Sequence, residues 1–129
     1  MYFFIFINKN IKFNTLFGPG AKYSNESDTM FIVDLFKNKL KVYSSPSFLG
    51  TVDNSNSTWF KGYNEQYFFN KGALFTAINP KLRHILMFQY LMRHKDVLVN
   101  YKFKEAYKIM KKGSKSYLDY TNKKGDKYE

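Results

Sequence analysis

Few side chains in this 129-residue sequence can do covalent chemistry. It has no cysteine and two histidines, His84 and His94. Thiolate nucleophiles, disulfides and thiolate metal sites are therefore excluded. On one straight helix the ten residues between the histidines amount to about 1000° of rotation and about 15 Å of rise, so the pair cannot share a metal ion. No H-E-x-x-H, P-loop or G-x-S-x-G pattern is present. Gly18-Pro19-Gly20 lacks one N–H and has no Lys-Ser/Thr after it, which makes it a turn and not a phosphate loop. A histidine beside arginine on a basic helix, as in Arg83-His84 and Arg93-His94, suits a phosphate or solvent contact better than general-base catalysis. Asp34 and Asp53 follow the ends of expected strands, where α/β folds gather ligands, and could form a hydrolase-like or metal site. They lack a third ligand at a telling spacing, and capping of a neighbouring loop or helix explains each carboxylate better. The chain is expected to be non-enzymatic, with no cofactor, metal or small-molecule substrate.

Charge is the stronger signal. There are 21 Lys+Arg against 10 Asp+Glu, a formal net charge of +11. Residues 81–129 hold 13 of those cations and 5 of the acids, so the C-terminal part carries +8 of the surplus. Such a pole repels itself in a free monomer and attracts a polyanion. Lysines that neutralise phosphates gain counterion release. The candidate RNA-binding residues are Arg83, Arg93, Lys102, Lys104, Lys108, Lys111, Lys112, Lys115, Lys123, Lys124 and Lys127. Only two of the 21 cations are arginine, which argues for backbone and shape contacts over bidentate guanine readout. Trp59-Phe60 and Tyr67-Phe68-Phe69 could stack exposed bases, although core packing is the commoner role of such residues. The abundance of Lys, Asn, Ile, Phe and Tyr is also what an AT-rich genome encodes by default, so part of the lysine excess is compositional.

These cations need elements to hold them. Asn79-Pro80 supplies an N-cap and a first-turn proline, and Lys81 to Met92 is apolar almost all round, as in a helix buried in its domain or against a partner. Val99, Phe103, Ala106, Tyr107 and Met110 form one narrow stripe of a second helix over 99–112, with Gly113 expected as its C′ residue. Lys102, Lys104, Glu105, Lys108, Lys111 and Lys112 lie away from that stripe. Residues 114–129 are expected to be an extended basic tail ordered only by a partner. Upstream, Tyr2–Ile7, Met30–Val33 and Ser47–Val52 are strand-like runs, and Thr58-Trp59-Phe60 is a possible short one. Leu35 to Tyr43 permits a short helix, Asn14 to Thr29 is loop chemistry, and Lys61 to Ile78 is irregular. The order predicts an α/β fold: a small, mostly parallel sheet with packed helices, forming a single domain over residues 1–113. No apolar run approaches the ~20 residues that cross a bilayer. Tyr2 to Ile7 stops at Asn8-Lys9-Asn10 and does not read as a signal peptide.

Asp28-Thr29-Met30-Phe31-Ile32-Val33-Asp34 and Ser45-Pro46-Ser47-Phe48-Leu49-Gly50-Thr51-Val52-Asp53, continued by Asn54-Ser55-Asn56, resemble two strand-and-turn segments in the C-terminal half of the bacterial-type small-subunit ribosomal protein two family. Ile78-Asn79-Pro80 stands where the family has a further segment leading into a helix, with a different residue order and no acidic pair. Phe17-Gly18-Pro19-Gly20 through Asn25 is similar to an earlier loop of that family. The likeness covers about residues 17–93. It implies an α/β ribosomal protein that contacts rRNA and neighbouring ribosomal proteins, here without the family's helical hairpin and as a C-terminal part, as could arise from a split organellar gene, with a separately encoded N-terminal half as a possible partner. The expected function is therefore a structural component of the small subunit of an organellar (mitochondrial) ribosome, located in the matrix and acting in translation. The alternative is an accessory subunit of a mitochondrial respiratory or ATP-synthase complex that uses Phe-rich faces for protein contacts.

Overall fold

Met30 to Val33 are helical, not extended. In a computed structural model, which describes residues 11–125 except 45, 49, 52 and 54–60, they lie inside α1 (Ser27–Lys37). Three further helices follow, α2 (Glu65–Ile78), α3 (Arg83–Arg93) and α4 (Phe103–Gly125), with one 3₁₀ turn at Lys95–Val97 between the last two. The only β pairing among the described residues is an isolated bridge between Phe17 and Tyr23. The expected α/β fold with a parallel sheet is thus overturned. Residues 46–48, 50 and 51 are not in a strand, and neither Asp34, within α1, nor Asp53 ends one. Tyr2–Ile7, Leu49, Val52 and Thr58–Phe60 lie outside the described residues, as does Lys127.

The chain divides into two units, residues 1–60 and 61–129, where one domain over 1–113 is expected. In the first unit the Gly18-Pro19-Gly20 turn folds back so that Gly18 N–H donates to the Tyr23 carbonyl at 2.9 Å and Tyr23 N–H to that of Leu16 at 2.9 Å. Phe17 and Tyr23 are thereby buried with their rings 5.2 Å apart. Gly18 takes φ +114°, open to glycine and strained for other residues. Helix α1 buries Met30 and Leu35, and Phe31 stacks on Phe13 at 4.5 Å. A four-residue apolar run fits a strand and a buried helical turn equally well by pattern, and here the helix prevails. Of the short helix expected over 35–43, only the first three residues are helical, as the end of α1; Lys39, at φ +59°, turns the chain out of it.

The second unit is a three-helix assembly. Asn64 caps α2, its Oδ1 accepting from Tyr67 N–H at 2.9 Å. Residues 65–78 are therefore an ordered helix and not irregular. Asn79 Oδ1 accepts from Lys81 N–H at 3.0 Å and Leu82 N–H at 3.1 Å, so it caps the turn that leads into α3. The core gathers Phe68, Met87, Leu91, Val97, Ala106, Ile109 and Met110. Tyr67 and Tyr90 pair through their hydroxyls, joining α2 to α3, and Lys71 lies over both rings at 5.6 and 5.4 Å.

Helices α2 and α4 meet backbone to backbone. A Cβ on Gly72 would stand 1.9 Å from the Met110 carbonyl oxygen, and one on Gly113 would stand 1.9 Å from that of Phe69. Each glycine thus makes room for the main chain of the other helix. Beside this crossing the hydroxyls of Thr76 and Ser114 lie 2.7 Å apart, both buried, and Thr76 Oγ1 also donates to the Gly72 carbonyl at 2.8 Å. Gly113 is consequently no helix terminus. The expected C′ glycine sits mid-helix because the crossing needs it, and residues 114–125 continue α4 where an extended tail is expected.

Candidate nucleic-acid interface

The cations that matter come from two helices. Glu105 accepts from the Lys102 backbone N–H at 2.9 Å, which caps the start of α4 and ties the one acid of its first turn to the helix end. From there Lys104, Lys108, Lys111 and Lys115 recur at i, i+4, i+7 and i+11, forming a single stripe about 16 Å long. These four are exposed, as is Lys112 beside them. At the start of α3 the Arg83 guanidinium donates to the Pro80 carbonyl, and His84 Nδ1 lies 3.3 Å from the Tyr107 hydroxyl of α4.

Between these helices runs an open groove of about 620 Å³. Six cations line it, Arg83 from α3 and Lys104, Lys108, Lys111, Lys112 and Lys115 from α4, against one carboxylate, Asp119. Leu118 and the polar groups of His84, Tyr107, Ser114 and Asn122 complete the lining. The imbalance makes the groove strongly attractive to phosphate. His84 has its pKa lowered, first by partial desolvation and then by the charges of Arg83 and Lys111.

Six of the eleven candidate residues named from sequence therefore converge. Arg93 lies in the last turn of α3, Lys102 precedes α4, and Lys123 and Lys124 close its last turn; none of these four lines the groove. His84, Tyr107 and Asn122 join the site without having been named as RNA-binding. Arg83-His84 carried part of that signal, whereas Asn122 was hidden by the expectation of a tail. Tyr67, Phe68 and Phe69 are half-buried or buried on α2 and serve packing, not base stacking.

No group of three His, Asp or Glu able to hold a metal occurs among the described residues. No family model, curated protein or solved structure matches the chain.

Proposed function

We propose that this chain is a structural RNA-binding subunit of a ribonucleoprotein particle, the small subunit of an organellar (mitochondrial) ribosome, in which it acts by phosphate-backbone contact and not by catalysis. The observation that carries this is the convergence of six cations and one carboxylate on a single groove. Lysine dominates the groove, which suits it to phosphates over base edges, and a stripe along one rigid helix presents its charges in fixed register. Neighbouring ribosomal proteins are the further partners of this reading.

Two measurements test it. The affinity of the full chain for an RNA oligomer should fall with salt with a log–log slope of about −4 to −5, roughly 0.7–0.9 for each of six neutralised phosphates. Changing Lys104, Lys108 and Lys111 to Glu should abolish binding with an unchanged circular dichroism spectrum. A flat salt response overturns the RNA reading. In gradients of organelle lysate the protein should travel with the small ribosomal subunit; comigration with a detergent-solubilised respiratory or ATP-synthase complex would assign it to that assembly instead.

A further inference from the structure

Helix α3 carries apolar residues on more than the face it buries. Met87 and Leu91 are fully buried, whereas Leu82, Ile85, Phe88 and Met92 are 47–64% exposed. The four recur at i, i+3, i+6 and i+10 and form one ridge, about 15 Å long, along the helix. Phe88 meets Phe103 edge-on at 5.4 Å, which extends the ridge onto the start of α4. An apolar ridge of this kind in water marks a contact surface.

Its surroundings say what the contact must carry. From Lys81 to Lys104 the sequence holds six cations (Lys81, Arg83, Arg93, Lys95, Lys102 and Lys104) and a single acid, Asp96. RNA phosphate gains nothing from Ile85 or Met92, and a second copy would bring one cationic rim against another. The fitting occupant is apolar beneath the ridge and anionic at both of its ends. We propose that α3 docks on an anionic lipid leaflet, with Leu82, Ile85, Phe88 and Met92 in the acyl boundary and Lys81, Arg93 and Lys95 among the headgroups. A fluid interface closes around a single ridge without a preformed complementary surface, and basic residues flanking an apolar face are its general signature. No described helix is long and apolar enough to cross a membrane; the proposed contact lays α3 along the leaflet surface.

The test is co-sedimentation of the full chain with vesicles of phosphatidylcholine alone and of phosphatidylcholine mixed with phosphatidylglycerol. Binding is expected to the mixed vesicles only. The double variant Ile85→Ser, Met92→Ser should lose at least about tenfold in that binding, because two aliphatic side chains no longer enter the acyl boundary, while keeping its RNA affinity. A second variant, Ile85→Trp, should show blue-shifted emission on the mixed vesicles and quenching by brominated acyl chains. Three results overturn the proposal: no binding to the mixed vesicles, equal binding by the double Ser variant, or a wild-type dimer in solution that this variant dissolves. The RNA reading stands apart from it, since loss of vesicle binding with RNA affinity retained defeats only the lipid contact.

Discussion

At Gly113 a methyl group would meet the Phe69 carbonyl oxygen at 1.9 Å. Helix propensity alone would reward Gly113→Ala by about 1 kcal/mol, so the substitution sets intrinsic preference against packing. Packing wins, because the obstacle is backbone and cannot rotate away. The variant should lose about 2 kcal/mol net, an overpacking cost of about 3 kcal/mol at the upper end of the usual range less the propensity gain, read as a lowered urea midpoint for the second unit; Gly72→Ala should behave alike. His84 makes the opposite kind of site, exposed and adjustable. Its pKa is lowered from 6.5 by desolvation and by Arg83 and Lys111, and a phosphate in the groove would raise it again. The complex then holds a proton that the free protein lacks, so RNA affinity should climb as pH falls from about 7.5 to about 5.5, and His84→Gln should flatten that profile. The sign for folding is reversed: with a depressed pKa in the folded state, the His84 contribution to stability is present above the unfolded value of 6.5 and is lost as pH drops.

At the level of elements, α4 tests whether residues 114–125 are ornament or structure. A chain ended after Lys112 removes Gly113 and Ser114, leaves the Thr76 hydroxyl without its 2.7 Å neighbour and uncovers the α2 crossing. It should lose the cooperative thermal transition followed by circular dichroism, whereas ending the chain after Gly125 should leave that transition in place. The same elements show what was legible beforehand. Helix α3 and the first half of α4 were found because their buried faces are apolar and regularly spaced, but both begin later than expected: Asn79 caps a turn with α3 starting only at Arg83, and Val99, 71% exposed, lies before α4. Helix α2 was missed because its buried face holds Asn70, Gly72, Ala73 and Thr76. Asn70 accepts from Gln66 at 2.7 Å and Thr76 pairs with Ser114, so polar and small residues occupy positions that a hydrophobic pattern leaves blank. The end of α4 was misplaced for the same reason: a glycine followed by serine resembles a stop signal until the second helix fills the space. Lys104, Lys108 and Lys111 were legible as one helix face from spacing, but Lys115 fell in the expected tail, and their meeting with Arg83 and His84 needed the packing of α3 against α4.

Over the whole molecule, charge and core both concentrate in the C-terminal part of the chain. Residues 61–129 carry 15 cations and 6 acids, against 6 and 4 in residues 1–60, and the main buried cluster also lies wholly in the second unit. The α/β expectation failed here because a few β-branched and aromatic runs were weighed as strands, while the residues that organise the fold are small ones on helices. The backbone crossing has one more effect. Peptide protons flanking Gly72 and Gly113 are shielded by the opposite helix and by their own i→i−4 bonds at once, so no local fraying exposes them. In deuterated solvent they should be the last in the protein to wash out, and their rate would report the opening of the entire helical unit.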